Sequence, residues 1–132
     1  MKVEDDAFCF VCGDKNNIGL HANFTVNDNN SASARLVIPS DYQGWAGIVH
    51  GGIISTLLDE VSIYACRKIS TNGVTAEINV KFKKPVPTEK EIFLTAKVVE
   101  IKRRLILVQA ELVCDGQVHA DAETKVFILD MK

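Results

Sequence analysis

The 132-residue chain has only three prolines, one tryptophan and two methionines, and its charges nearly balance at a formal net −2. Because nucleic-acid-binding domains depend on clustered positive charge, this balance gives no reason to expect a DNA or RNA partner. No apolar run approaches the ~20 residues of a membrane span. The opening residues, MKVEDD, are acidic where a secretory signal would be basic and then apolar. We therefore expect a cytoplasmic protein without a membrane or nucleic-acid partner.

Cysteine is also scarce, and Cys9, Cys12, Cys66 and Cys114 do not form the dense framework of a small secreted domain. We expect four reduced thiols. The Cys9-x-x-Cys12 pair is half of a zinc knuckle, but a structural zinc site takes four ligands. A site would need His21 as a third ligand, or thiols pooled from two chains across a twofold axis. The spacing favours a tight turn with small buried thiols, and we predict no metal.

Length and composition, with 47% apolar and 24% charged residues, fit a single domain over residues 1–132. Residues 1–19 are predicted to form an N-terminal arm that contains the Cys-x-x-Cys pair. In the run from 74 to 83, strict alternation places Thr75 on the polar face of a half-buried strand, opposite Val74 and Ala76. Asp115-Gly116 predicts a two-residue hairpin turn. The predicted strands cover 20–26, 32–38, 74–83, 92–101, 105–114 and 118–128.

A long amphipathic helix is predicted from about Gly51 to Ile69. Its second side holds small uncharged residues with Asp59 near the middle, where an ordinary solvent face would carry many charges. We infer that something packs close to Asp59. Glu60 is rotated away and is predicted to be an ordinary ion-pair or sheet-edge residue, with a role as the alternate base left open. The apolar stripe comprises Ile53, Ile54, Leu57, Leu58, Val61, Tyr64 and Ala65, and the second side comprises Gly52, Ser55, Thr56, Asp59, Ser62 and Cys66.

One helix with a broad apolar stripe among about six strands can be buried only if the sheet curves around it. The sequence therefore predicts an α+β fold, with an antiparallel sheet of about six strands wrapped around one long central helix.

The segment GIVHGG at 47–52, followed by LLDE at 57–60, resembles the helix start of hotdog-fold acyl-CoA thioesterases. The likeness is to the phenylacetate-pathway (PaaI-like) type, which is related to 4-hydroxybenzoyl-CoA thioesterases. It extends from about residue 20 to residue 128. The opening CFVCG at 9–13, with Asn17, Gly19 and Leu20, also resembles a leader on one branch of these proteins.

The resemblance implies that Asp59 acts as a general base on water or as a nucleophile toward the thioester carbonyl. It also implies that a backbone N–H of Gly51 or Gly52 stabilises the oxyanion, and that Thr75 orients the water or the carboxylate. Glycine at a helix start lets a carbonyl approach unpaired N–H groups at the positive end of the helix dipole. Asp59 lies two turns beyond Gly52. One substrate carbonyl can therefore contact both residues only if it lies along that helix face or if the carboxylate belongs to a neighbouring chain. The resemblance to hotdog dimers implies the second arrangement, with Asp59 of one subunit facing Gly51 and Gly52 of the other.

His50 is included in the catalytic set with a structural or orienting role, since the sequence offers no nucleophile for it to activate. Relatives commonly carry an asparagine six residues before this histidine, where this chain has Gly44, and Gln43 is the nearest amide. The predicted substrate-binding residues are Gln43, Trp45, Ser55, Tyr64, Phe82 and Lys83.

The leading hypothesis is a cofactor-independent hydrolase of acyl-CoA, acting as a homodimer or homotetramer with the active site at the subunit interface. A non-catalytic acyl-CoA binding module is the alternative from a different class. A hydratase would want a second acid or base beside His50, and a metal-dependent role would rest on Cys9 and Cys12. The acyl chain and the carrier, coenzyme A or acyl-carrier protein, stay open.

Overall fold

A computed structural model describes residues 1–129. Six antiparallel strands form one sheet in the order β1-β2-β4-β5-β6-β3, and one helix lies against it. This confirms the predicted α+β fold. The elements in chain order are β1 Thr25–Asn27, β2 Ser31–Val37, a 3-10 turn Ser40–Tyr42, α1 Gly51–Ala65, β3 Gly73–Phe82, β4 Glu91–Lys102, β5 Leu105–Cys114 and β6 Gln117–Ile128.

The core lies between α1 and the concave face of the sheet, as the apolar stripe requires. Leu57, Leu58 and Val61 are fully buried in the middle of the helix. Along β5 every second residue is buried, which is the pattern of a strand with one face in the core. Burying a leucine in this way contributes about 2 kcal/mol of hydrophobic stabilisation, so the helix and the curved sheet stabilise each other.

The helix is shorter than the sequence indicates, because it ends at Ala65 rather than Ile69. Beyond that point the Cys66 N–H donates to Ile63 O at 3.0 Å and the Ile69 N–H donates to Cys66 O at 2.9 Å. These i to i−3 bonds are those of tight turns, which are frequent at helix ends.

The strand predicted over 20–26 is wrong except at its end, since β1 begins only at Thr25. His21 has a φ of 52°, which breaks the extended conformation. The Leu20 N–H donates to Phe10 O and the Ala22 N–H to Val11 O, both at 2.8 Å. This segment therefore pairs with the N-terminal arm.

The hairpin predicted at Asp115-Gly116 is confirmed. Both residues have positive φ, 52° for Asp115 and 74° for Gly116, as a type I′ turn requires. The turn joins β5 to β6 and aligns Ala110 with Ala122 in the core.

A β-bulge near the start of β3 overturns the predicted alternation at Thr75. Thr75 pairs with Val126 of β6, but the register shifts before Glu77. Since Val126 is fully buried, Thr75 lies on the concave face, and after the bulge Ile78 lies on that face as well, opposite Thr124. One extra residue thus moves Thr75 from the predicted polar face to the helix side.

Ser62 also departs from the pattern, since it was grouped with Asp59 on the small-residue side but is fully buried. Its hydroxyl donates to Leu58 O at 2.7 Å and lies 3.0 Å from the Thr124 hydroxyl on β6. The helix is therefore joined to the sheet by a buried polar contact. Within residues 1–129, no helix has the length and apolar character needed to span a bilayer.

Candidate active site

Asp59 and Thr75 form the first half of the candidate site. Asp59 lies in the middle of α1, and the bulge in β3 turns Thr75 toward it, so that the Thr75 hydroxyl donates a hydrogen bond to Asp59 Oδ1. The carboxylate is thereby held by the sheet as well as by its own helix. The structure brings together the two side chains that the sequence assigned to catalysis and to orientation.

The surroundings of Asp59 favour its protonated form more than water would. Burial raises the pKa of the Asp59 carboxyl above its usual value, and the negative charge of Glu60 acts in the same direction. The hydrogen bond from Thr75 works against this increase in pKa, because it stabilises the ionised form. A partly desolvated carboxylate with one fixed donor is a stronger base than a solvated one.

The start of α1 forms the second half of the site. His50 caps the helix, and its Nδ1 accepts a hydrogen bond from the Gly52 N–H at 2.9 Å. The N–H groups of Ile53 and Ile54 donate to His50 O. Gly51 is the remaining residue of the first turn, and no acceptor within residues 1–129 takes its N–H. The Gly52 N–H is thus engaged within the chain, while the Gly51 N–H is available for a ligand.

Gly51 lies at the wall of a cavity of about 360 Å³, and Phe82 contributes an aromatic side to it. A Cβ at position 51 would lie 3.6 Å from the Phe82 ring, so the ring stands over the backbone of the helix start. Two aromatic side chains at this cavity are open to solvent, with Trp45 83% and Phe82 56% exposed. The cavity is lined by Trp45, Ile48, Val49, Gly51, Ile54, Phe82, Lys83, Lys84, Pro85 and Val86.

Of the predicted substrate-binding residues, Trp45, Phe82 and Lys83 lie at this cavity. Lys83 Nζ forms an ion pair with Asp121 at 2.9 Å and remains half exposed. The structure therefore places an apolar surface and a cationic rim next to the free Gly51 N–H.

The other three predicted binding residues lie elsewhere. Gln43 Oε1 accepts from the Gly47 N–H at 3.0 Å, which stabilises the loop before the helix. The Ser55 hydroxyl donates to Gly51 O at 3.1 Å within the helix. Tyr64 stacks on Phe24, with ring centroids 4.4 Å apart.

The two halves of the site are well separated within one chain. Gly51 and Asp59 are about 12 Å apart along the helix axis, at ~1.5 Å per residue. That separation is too large for one carbonyl group to contact the Gly51 N–H and the Asp59 carboxylate of the same chain at once.

Glu60, predicted to be an ordinary ion-pair or sheet-edge residue, instead contacts the N-terminal arm. Its Oε2 accepts hydrogen bonds from the Cys9 thiol at 3.1 Å and from the Cys12 thiol at 3.0 Å. Sequence reasoning missed this group because Glu60 lies 51 and 48 positions from the two cysteines. The residues before and after the pair carry no signal for such a distant partner.

An antiparallel sheet wrapped around one long helix is the hotdog fold, which this chain shares with solved thioesterase structures. The chain belongs to the thioesterase superfamily, whose family model matches residues 46–120.

Its relatives include the Xenopus laevis protein named acyl-coenzyme A thioesterase THEM4, which is 29% identical over 75% of this chain and 47% of its own length. The chain spans between a quarter and about half the length of the first curated relatives it matches. The crystal structure of protein RHA08564, a thioesterase superfamily protein, is 27% identical with a TM-score of 0.85, covering 92% of this chain and 60% of that one. The Escherichia coli PaaI protein shares the fold, with a TM-score of 0.77 over 84% of this chain and 81% of that one at 18% identity.

Proposed function

We propose that this protein hydrolyses acyl-CoA thioesters to a free acid and coenzyme A. The observation that carries the proposal is the Asp59 carboxylate, half-buried on a helix face of small residues and oriented by the Thr75 hydroxyl. Relatives named acyl-coenzyme A thioesterases support the substrate class.

Asp59 has two chemically complete routes to hydrolysis. As a general base it takes a proton from water, whose oxygen attacks the thioester carbonyl and displaces the coenzyme A thiolate. As a nucleophile it attacks the carbonyl and displaces the coenzyme A thiolate to form an acyl anhydride, which water then cleaves to the free acid and the regenerated carboxylate. Both routes need an ionised carboxylate with a fixed direction, and the Thr75 hydrogen bond supports each of them.

The Gly51 N–H is the donor that best fits the oxyanion. It lies at the positive end of the helix dipole, and glycine leaves space for a carbonyl to approach. The sequence left Gly51 and Gly52 open as donors; the bond from the Gly52 N–H to His50 favours Gly51. His50 then acts through the backbone, by fixing the turn in which Gly51 lies.

The cavity beside Gly51 suits the remainder of an acyl-CoA. Trp45 and Phe82 offer apolar surface to an acyl or pantetheine chain, and Lys83 and Lys84 stand at the same cavity. Charge-assisted hydrogen bonds from such lysines would hold phosphate groups. Lys83 retains half of its side-chain surface in solvent despite its ion pair with Asp121, so it can reach a ligand.

We further propose that a complete site forms between two chains. Gly51 and Asp59 are about 12 Å apart along one helix, so they cannot act on the same carbonyl within one chain. They can do so if the Gly51 N–H of one subunit faces the Asp59 carboxylate of its partner. A twofold axis then creates two equivalent sites per dimer. A homodimer is the smallest assembly with this property, and a homotetramer would contain two such pairs.

A panel of short, long and aromatic acyl-CoA substrates, with detection of the released thiol, tests the proposal. We expect turnover of at least one class by the wild-type protein, and thiol release at the uncatalysed rate with the Asp59→Asn variant. Acyl-CoA binding without thiol release above that variant would overturn hydrolysis in favour of a non-catalytic binding module. If thiol is released from an acylated carrier protein but from no acyl-CoA, the carrier in the proposed substrate is the acyl-carrier protein and not coenzyme A.

A further inference from the structure

The N-terminal arm folds back onto the outer side of α1 and brings two thiols to one carboxylate. Cys9 Sγ and Cys12 Sγ lie 3.1 Å and 3.0 Å from the same oxygen of Glu60, and the three atoms all lie within 4.8 Å of one another. We call these three side chains the arm cluster. None of its three side chains has a step in the proposed hydrolysis, although Glu60 adjoins Asp59 in sequence and its charge raises the pKa of that carboxyl.

The arm cluster has the atoms and the size of a zinc site. Zinc prefers thiolate sulfur at about 2.3 Å and carboxylate oxygen at about 2.0 Å, in tetrahedral geometry. Those bond lengths place neighbouring ligand atoms roughly 3.5 to 3.8 Å apart. The two sulfur-to-oxygen distances in the arm cluster need to open by only about half an ångström to accept the ion.

The turn that carries the two cysteines has the geometry to hold them in place. The Val11 N–H donates to Cys9 Sγ at 3.4 Å, and the Gly13 N–H donates to Cys9 O at 2.9 Å. A Cβ at Gly13 would lie 2.4 Å from Cys9 N, so only glycine fits there. These contacts fix the turn so that both thiols face the Glu60 carboxylate.

A cavity of about 410 Å³ adjoins the arm cluster and leaves space for a fourth ligand. Its lining includes Glu4, Asp5 and Asp6 from the arm, whose negative charges favour a cation, and Arg67 from the turn after α1, whose charge opposes one. The acidic groups outnumber the basic one. Water or a small solute in this cavity could complete a four-coordinate site.

We propose that Cys9, Cys12 and Glu60 bind one zinc ion, with a fourth position open to the adjoining cavity, and that the ion fastens the N-terminal arm to α1. The sequence predicted no metal because it offers no second Cys-x-x-Cys or histidine pair at a suitable spacing to supply the other ligands. The fold supplies the third ligand from the middle of the helix. His21, the third ligand considered from the sequence, is not part of this group.

Metal binding to the full chain under reducing conditions tests the proposal without any activity measurement. Equilibrium dialysis followed by elemental analysis should give one Zn²⁺ per chain. Co²⁺ in place of Zn²⁺ should give the intense thiolate-to-cobalt absorption of a tetrahedral site. The Cys9→Ser/Cys12→Ser variant should lose both signals, and Glu60→Gln should weaken Zn²⁺ binding at least ~10-fold, a loss seen even for outer-shell groups.

Cys114→Ala is the matched control, because it removes a thiol at the end of β5, hydrogen-bonded to Glu91 O and outside the arm cluster. It should retain one Zn²⁺ per chain. Circular dichroism shows whether each variant is folded. If a variant does not fold, the cobalt spectrum of the wild-type protein still tests whether thiolates bind the ion.

Three results would overturn the proposal. The first is a wild-type protein that binds no more Zn²⁺ than Cys9→Ser/Cys12→Ser. The second is unchanged affinity in Glu60→Gln, which would remove the carboxylate from the site. The third is half an ion per chain, which would mean that two chains pool four thiols instead.

Discussion

The Thr75 hydroxyl donates a hydrogen bond to the Asp59 carboxylate across 16 positions of sequence. The bond joins the middle of the helix to the first residues of β3, and it exists because one extra residue before Glu77 turns Thr75 inward. The carboxylate is therefore fixed from the sheet side and remains partly exposed.

Replacing Asp59 with asparagine should abolish turnover and leave the fold intact. The amide keeps the volume and can still hydrogen-bond to Thr75, but it can neither accept a proton from water nor attack a carbonyl. We expect kcat to fall at least ~10²-fold, the low end of what a positioned base contributes. Asp28→Asn is the matched control, since Asp28 is fully exposed in a loop and forms only a surface ion pair with Lys68. Wild-type kcat in Asp59→Asn would exclude this carboxylate.

Thr75→Val should lower kcat about tenfold to a hundredfold, because a misdirected catalytic group loses that much when its geometry slips. Valine matches threonine in shape but has no hydroxyl to donate. Thr75→Ser retains the hydroxyl and should recover most of the lost kcat, while KM stays near the wild-type value for both variants. Steady-state kinetics on one acyl-CoA separates the two constants. Equal kcat in the valine and serine variants would mean that the hydrogen bond does not position Asp59.

Gly51→Pro removes the backbone N–H that we assign to the oxyanion and should cost ~10² to 10³-fold in kcat. Proline is well tolerated at the first position of a helix, and His50 before it already has an extended backbone, with φ −59° and ψ 136°. Gly51→Ala keeps the N–H, and its Cβ would make an ordinary contact at 3.6 Å with Phe82. Similar kcat values for the two variants would assign the oxyanion to another donor.

Mixing two inactive variants tests whether the site spans two chains. After unfolding and refolding together, Asp59→Asn and Gly51→Pro chains should form mixed dimers in which one of the two sites is intact. Random pairing predicts recovery of about a quarter of wild-type turnover. Light scattering should show at least a dimer. No recovery from dimers whose mixing is verified would place both residues in one subunit.

His50→Ala should lower the free energy of unfolding by ~1 kcal/mol, the usual cost of losing a helix cap. The Gly52 N–H would lose its acceptor, His50 Nδ1. His50→Asn supplies a side-chain oxygen at the same place and should recover most of that loss. Urea denaturation followed by circular dichroism measures both variants. Equal unfolding free energies for the two would mean that the cap contributes nothing.

Local signals in the sequence predicted the parts of the fold that depend on neighbouring residues. Asp115-Gly116 specified its own turn because both residues accept positive φ. Val49-His50-Gly51 marked the helix start, and the apolar stripe fixed which side enters the core. The end of the helix could not be predicted, because Cys66 and Ile69 continue the hydrophobic pattern beyond Ala65 although the backbone forms tight turns there.

Contacts between distant segments could not be predicted in the same way. A period of two cannot reveal a bulge, so Thr75 was assigned to the wrong face although its partnership with Asp59 was expected from resemblance. The link from Glu60 to Cys9 and Cys12 depends on how the arm crosses the helix. The position of the arm depends in turn on backbone hydrogen bonds between distant residues, such as the one from the Leu20 N–H to Phe10 O. The cytoplasmic location expected from the acidic opening residues stays a prediction.

The buried hydroxyl pair of Ser62 and Thr124 opposes rotation of α1 about its own axis. An unpaired buried hydroxyl costs about 1 to 3 kcal/mol. Any turn of α1 about its axis would separate the pair and leave the Thr124 hydroxyl without Ser62, whereas Ser62 keeps its bond to Leu58 O within the helix. Together with the apolar stripe, this contact fixes the direction in which the carboxylate one turn earlier and the glycine at the helix start face.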